Sequence, residues 1–145
     1  MRKSRNQYDI FLSYSPKETS FAQQLARALK KQGLKVWYDE GKLRIGDSIL
    51  RRIESALEKS RFFILVVSPD YFNSQWSNFE MGVAMSRNPG FNKEHILPVY
   101  LEDVNPKSLP PPLAYLNGIK AQGRSVEEIA NLLVQKVIRN AAKVE

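Results

Sequence analysis

Phe62 to Val67 (FFILVV) is an unbroken run of six apolar side chains. Side chains alternate between the two faces of a strand, so such a run reads as a strand covered on both faces. A strand of that kind sits inside a parallel sheet and needs helices above and below it. Apolar runs of this kind alternate with helical periodicity along the chain, which points to a parallel α/β sheet.

The rest of the chain supplies the partners. Tyr8 to Tyr14 (YDIFLSY) reads as a first strand. Ser15-Pro16-Lys17-Glu18 then reads as a helix start, with Ser as the cap, Pro first in the helix and Glu three residues after the cap. Phe21, Leu25, Ala28 and Leu29 form one apolar helical stripe, and Gly33 is placed to end that helix. Leu34 to Tyr38 (LKVWY) is a second strand, followed by a polar loop with Gly41 and Gly46. Asp47 or Ser48 caps a second helix, with Ile49, Ile53, Ala56 and Leu57 facing inward.

After the FFILVV strand, a helix is expected from about Gln75 to Arg87. Ile96 to Leu101 (ILPVYL) is a fourth strand, and Gly118 to Ala121 (GIKA) a short fifth. Ser125 and Glu128 form a second capping box before Val126, Ile129, Ala130, Leu133 and Val137, which share one helical face. Strands one, three and four are the apolar ones, and strands two and five carry polar residues that suit edges. The expected fold is therefore α/β: a flavodoxin-like, five-stranded parallel sheet of order 2-1-3-4-5, with helices on both faces. Ligands in such a sheet bind beyond the carboxyl ends of strands one and three, where the strand order reverses. The loops Ser13–Glu18 and Ser68–Trp76 lie there.

The 145 residues fit a single domain, with a core of about 8–139, and can bury a core without staples. Cysteine is absent, which removes disulfides, thiolate metal sites and a cysteine nucleophile. The lone His95 precedes a strand and removes a histidine-rich metal site. No metal and no cofactor is expected. No apolar stretch reaches the ~20 residues of a membrane span, and no secretory signal is evident, so a cytoplasmic location is expected. The net charge is +7, which suits an anionic partner. Residues 1–60 carry 13 basic and 7 acidic side chains, and residues 61–145 carry 9 and 8. The surplus thus lies in the half that bears the first two loops. No aromatic–basic interleaving or recognition motif supports nucleic-acid binding.

No G-x-G-x-x-G follows the first strand, and there is no Walker A sequence. The acidic cluster of a phospho-receiver is missing, because the strand ends read Ser13-Tyr14-Ser15 and Ser68-Pro69. The anomaly is Glu80. Positions 76, 79, 80, 83 and 84 make one helical stripe, and the others are Trp76, Phe79, Val83 and Ala84. Two readings stand: an acid early in a helix that complements the macrodipole, or a carboxylate held on an inward face for use. Lys17 could reach an anion above the first strand, and Lys42 and Arg44 could meet a partner protein or a phosphate. Tyr71, Phe72 and Trp76 are a pocket wall or plain core, and Trp37 reads as packing.

Taken together, the segments resemble a TIR (Toll/interleukin-1 receptor homology) domain of the bacterial type, over Tyr8 to about Arg139. YDIFLSYS at Tyr8 to Ser15 is similar to the family's first box. LKVWYDEGKLRIGDS at Leu34 to Ser48 is similar to its second strand and BB loop. Phe62 to Pro69, followed by Trp76-Ser77-Asn78-Phe79-Glu80, is similar to its third strand and helix C.

The resemblance implies an enzyme that cleaves NAD+, with Glu80 catalytic in W-x-x-x-E after Trp76. The implied chemistry is rupture of the nicotinamide–ribose bond, giving nicotinamide with ADP-ribose or a cyclic form. Nicotinamide leaves a cationic donor as a neutral molecule, so one carboxylate that stabilises the oxocarbenium-like ribose suffices. The resemblance further implies that Tyr14, Ser15 and Lys17 border the substrate and that Trp76 walls the pocket. Asp39 touches a ribose hydroxyl or organises its loop. NAD+ is then the substrate, not a cofactor. Lys42, Leu43, Arg44, Ile45, Gly46 and Asp47 of the BB loop would mediate TIR–TIR assembly that switches the enzyme on, in bacterial signalling or antiviral defence. The competing reading is a non-catalytic TIR–TIR scaffold or adaptor module acting through that loop. The chain departs from some family enzymes in having Ser48 and Ala121 where they carry aromatics.

Overall fold

The computed structural model describes residues 7–38, 55, 58–69, 71, 95–101, 104 and 118–144, with side chains as far as 139. Five strands make one parallel sheet: β1 (Tyr8–Ser13), β2 (Val36–Tyr38), β3 (Ser60–Val67), β4 (Ile96–Tyr100) and β5 (Ile119–Lys120). Their order is β2-β1-β3-β4-β5, as the polar edges and apolar centre predict. Ile10 is in register with Val36 on one side and Phe62 on the other. Phe63 faces Ile96, and Val99 faces Ile119.

Among the described residues, the helices α1 (Thr19–Lys31) and α2 (Val126–Val144) cover one face. Alternation turns Ile10, Leu12, Phe62, Ile64, Val66, Leu97 and Val99 toward that face. They pack with Leu25 and Leu29 of α1 and with Ile129, Leu133 and Val137 of α2. Leu25 and Leu29 are fully buried, so truncating either to Ala costs about 2–5 kcal/mol. On the other face Phe11 meets Trp37 and Phe63 edge-on, with ring centroids 5.2 and 5.0 Å apart. The Lys59 ammonium lies 5.6 Å over the Trp37 ring, so Trp37 packs, as its position on an edge strand suggests. The helices expected from Asp47 or Ser48 and from Gln75 to Arg87 fall largely or wholly outside the described residues. No described helix is long and apolar enough to cross a membrane.

Local chemistry sets the element ends. Gly33 has φ +93°, a conformation that favours glycine. Its N–H donates to the Lys30 carbonyl, and the Leu34 N–H donates to that of Leu29. These two bonds are a Schellman closure. Leu34 is used by that closure, so β2 starts at Val36 rather than at Leu34. At α2 the capping box is complete. The Ser125 N–H donates to Glu128 Oε1 at 2.8 Å, and the Glu128 N–H donates to Ser125 Oγ at 3.1 Å.

Pro98 lies inside β4, where a proline is normally excluded from a central strand. Its carbonyl faces Gly118, the residue before β5. In an extended strand a residue's N–H and C=O point the same way, so the missing N–H falls where β5 has not yet begun.

Candidate functional site at the carboxyl ends of β1 and β3

The sheet's order reverses between β1 and β3. From β1 the chain crosses through α1 to β2 on one side, and β3's other neighbour is β4. Diverging connections leave a crevice beyond the two strand ends, the usual ligand position in such a sheet. Ser13, Tyr14, Ser15 and Lys17 approach it from β1, and Ser68, Pro69 and Tyr71 from β3.

Ser15 is extended at φ −76°, ψ 148° and caps the turn that follows. That turn, Pro16–Glu18, is a 3-10 helix rather than the first turn of α1. The Glu18 N–H donates to the Ser15 carbonyl at 2.8 Å, three residues back. The Ser15 hydroxyl accepts from the Lys17 N–H at 3.3 Å, and Thr19 Oγ1 donates to the Pro16 carbonyl at 2.7 Å. The helix signal at Ser15-Pro16 is real, but the tighter bonding delays α1 to Thr19.

Tyr14 and Ser15 are buried, at 2% and 0% exposure. The Tyr14 ring joins the core and lies 6.3 Å from the Tyr38 ring, over which the Lys30 ammonium sits at 5.5 Å. Lys17 is the exposed member of the three. Tyr14 and Ser15 thus build the floor of this end, and Lys17 lies at the surface. Asp39, Trp76, Glu80 and the loop residues Lys42, Leu43, Arg44, Ile45, Gly46 and Asp47 lie outside the described residues.

Three features at these strand ends are absent from the sequence reading. Ser13 Oγ and the Tyr71 hydroxyl share a buried hydrogen bond of 2.6 Å, across 58 residues of sequence. The Tyr71 N–H donates to the Ser68 carbonyl at 3.1 Å, which folds the chain into a turn directly after β3. The Ser68 hydroxyl is buried and has no hydrogen-bond partner among the described residues. No local spacing signals the Ser13–Tyr71 pair, and the only hint is that Ser13 breaks the apolar run of β1. At the end of β4, burial pushes the Tyr100 phenol above its usual pKa, so it stays neutral.

This arrangement defines a class: a flavodoxin-like α/β domain whose crevice is built by the first strand-to-helix loop and the turn after the third strand. Within that class the chain belongs to the TIR domain family, whose model matches residues 10–134. It is 32% identical over 135 residues to the 2' cyclic ADP-D-ribose synthase AbTIR of Acinetobacter baumannii (strain 1295743), covering 91% of this chain and 50% of that protein. It is 38% identical over 96 residues to the NAD(+) hydrolase TcpA of Theionarchaea archaeon (strain DG-70-1), covering 65% of this chain and 29% of that one. Among solved structures, a metazoan TIR-STING receptor from C. gigas in complex with 2',3'-cGAMP superposes with a TM-score of 0.71 at 27% identity. That match covers 94% of this chain and 41% of the receptor. The chain spans half the length of the Acinetobacter relative and under a third of the archaeal one.

Proposed function

We propose that this TIR domain cleaves NAD+ at the nicotinamide–ribose bond, with Glu80 as its catalytic carboxylate. The observation that carries the reading is the W-x-x-x-E spacing of Trp76 and Glu80. That segment follows in sequence on β3, whose carboxyl end lies at the crevice, and relatives of this chain are named for NAD+ hydrolysis and cyclic ADP-ribose synthesis. The C1′–N bond breaks with its electron pair passing to the pyridinium nitrogen, so nicotinamide departs neutral. The Glu80 carboxylate stabilises the positive charge left on the ribose. Water then attacks C1′ and gives up a proton to yield ADP-ribose, or a hydroxyl of the same molecule closes to a cyclic form. Lys17, beside the amino end of α1, suits the pyrophosphate. Tyr14 and Ser15 underlie the substrate, Trp76 walls the pocket, and Asp39 holds a ribose hydroxyl or its own loop.

Self-association through Lys42 to Asp47 switches the enzyme on. That loop leaves β2, which is three residues long and lies at the sheet edge, and an edge strand is open to pairing. Gly46 gives the loop the backbone freedom that assembly needs. The setting is cytoplasmic signalling or antiviral defence. The same edge supports the second reading, a non-catalytic TIR–TIR module.

Incubating concentrated protein with NAD+ and measuring released nicotinamide by chromatography tests both. Wild type should release nicotinamide, and Glu80→Ala and Glu80→Gln should lose at least ~100-fold. Intact NAD+ under conditions that demonstrably assemble the domain leaves only the scaffold reading. Full turnover by both variants removes Glu80 from its role.

A further inference from the structure

The geometry points to the Ser13–Tyr71 hydrogen bond as a positioning clamp that fixes the two walls of the crevice against each other. Ser13 is the last residue of β1 and directly precedes Tyr14 and Ser15. Tyr71 lies five residues before Trp76 and nine before Glu80. The clamp therefore joins the loop that underlies the substrate to the segment that carries the carboxylate. This inference rests on the NAD+-cleaving reading and names residues which that reading does not use.

Three observations support a positioning role over simple filling of the core. First, Tyr71 is fully buried and Ser13 is 8% exposed, so water cannot replace either partner. At 2.6 Å the contact is at the short end for two hydroxyls. Second, the position is polar where its neighbours are not. Alternation puts Ser13 on the face of Phe11, opposite the α1–α2 core. In register beside Ser13 stands Leu65, and β3 is apolar from Phe62 to Val67. An apolar pair would fill the same space without a directional bond. A hydroxyl pair adds direction, because it is satisfied in only a narrow range of orientations. Third, Tyr71 is held at two points. Its N–H is on the Ser68 carbonyl, and its hydroxyl is on Ser13. The turn after β3 is thus fixed both to its own strand and to the neighbouring one. Neither side chain needs to touch the substrate, since displacing a reacting group by about 1 Å is enough to slow a reaction ~100-fold.

The test is steady-state kinetics of Tyr71→Phe, Ser13→Ala, Ser13→Thr and the Ser13→Ala/Tyr71→Phe double variant, each with a melting temperature. The expected result is a kcat about tenfold or more below wild type for both single variants, with KM within about threefold. The double variant should be no slower than the slower single, because the pair acts as one unit. Ser13→Thr keeps the hydroxyl and should keep kcat. Wild-type kcat in Tyr71→Phe and Ser13→Ala at a temperature where they are folded would overturn the clamp, even if their melting temperatures fall. So would multiplicative losses in the double variant.

Amide exchange separates this inference from the reading beneath it. The Lys17 and Glu18 amides both bond to Ser15, two residues beyond Ser13. Tyr71→Phe should speed their exchange about fivefold or more, relative to the Leu25 and Leu29 amides of α1. If wild type leaves NAD+ intact, the functional reading fails, and unchanged exchange at Lys17 and Glu18 then overturns the clamp on its own terms.

Discussion

Gly118 approaches Tyr100 so closely that a β-carbon on it would lie 2.5 Å from the ring and 2.7 Å from the Pro98 carbonyl oxygen. Tyr100 is buried, and the carbonyl belongs to a sheet strand, so neither neighbour yields freely. Gly118→Ala should destabilise the fold by about 1–3 kcal/mol, as overpacking in a close-packed interior does. Urea unfolding measures the change. Circular dichroism should stay native, because the strain is confined to the β4–β5 contact. An unchanged unfolding midpoint would show that the ring can move aside.

Tyr100 also gives an alkaline signature. In the unfolded chain a tyrosine ionises near 10.0, and burial raises that value in the fold. Above about pH 10 the unfolded state therefore gives up a proton that the folded state keeps. The stability involved is intact below pH 10 and declines as the pH rises through the raised folded value. Melting temperatures of wild type and Tyr100→Phe between about pH 8.5 and 11 isolate this contribution. The fall should be shallower in the variant, and parallel curves would mean that the phenol is not protected.

Asp9 and Arg61 test a different distinction. Asp9 Oδ1 meets Arg61 Nη1 at 3.2 Å, while Oδ2 accepts the Lys35 N–H at 2.8 Å. The ion pair is about a quarter to a third exposed, so solvent screens it and it contributes about 0–1 kcal/mol. The bond to the Lys35 amide holds the entry of β2 beside β1 and adds about 1 kcal/mol or more. Asp9→Ala should therefore lower stability more than Arg61→Ala. Only the Arg61 part should fade in high salt. Equal losses, both erased by salt, would show that the ion pair dominates.

What could be read in advance was whatever neighbours in sequence decide. The FFILVV run fixed a strand buried on both faces, and the polar second and fifth strands went to the edges. Gly33 ended α1, and Ser125 with Glu128 began α2, because each signal spans six residues or fewer. The start of α1 was misread by three residues, since Ser15-Pro16 also suits a 3-10 turn and the bonding of the Glu18 amide chose between them. The hydroxyl pair of Ser13 and Tyr71 depends on two strand ends meeting in space, which no spacing encodes. The burial of Tyr14 beside Tyr38 is a fact of the same kind. Glu80 stands out as a carboxylate on an apolar helical stripe, but its role and those of Asp39, Trp76 and the loop from Lys42 to Asp47 rest on the family resemblance, and all of them lie outside the described residues.

Ser68 carries the last prediction. Its hydroxyl is buried at the end of β3 and has no hydrogen-bond partner among the described residues, and a buried hydroxyl left unpaired costs about 1–3 kcal/mol. Removing it should therefore leave stability unchanged or raise it, the reverse of the usual outcome for a buried substitution. The turn that follows uses the Ser68 carbonyl, which accepts the Tyr71 N–H, and Ser68→Ala keeps that carbonyl. Thermal unfolding should show a midpoint equal to wild type or a few degrees higher, given ~2–8 °C per kcal/mol in a domain of this size. Ser60, buried at the opposite end of β3 and without a hydrogen-bond partner among the described residues, is the matched control. Its alanine variant should behave alike in stability. A fall of several degrees for Ser68→Ala alone would mean that its hydroxyl finds a partner in solution.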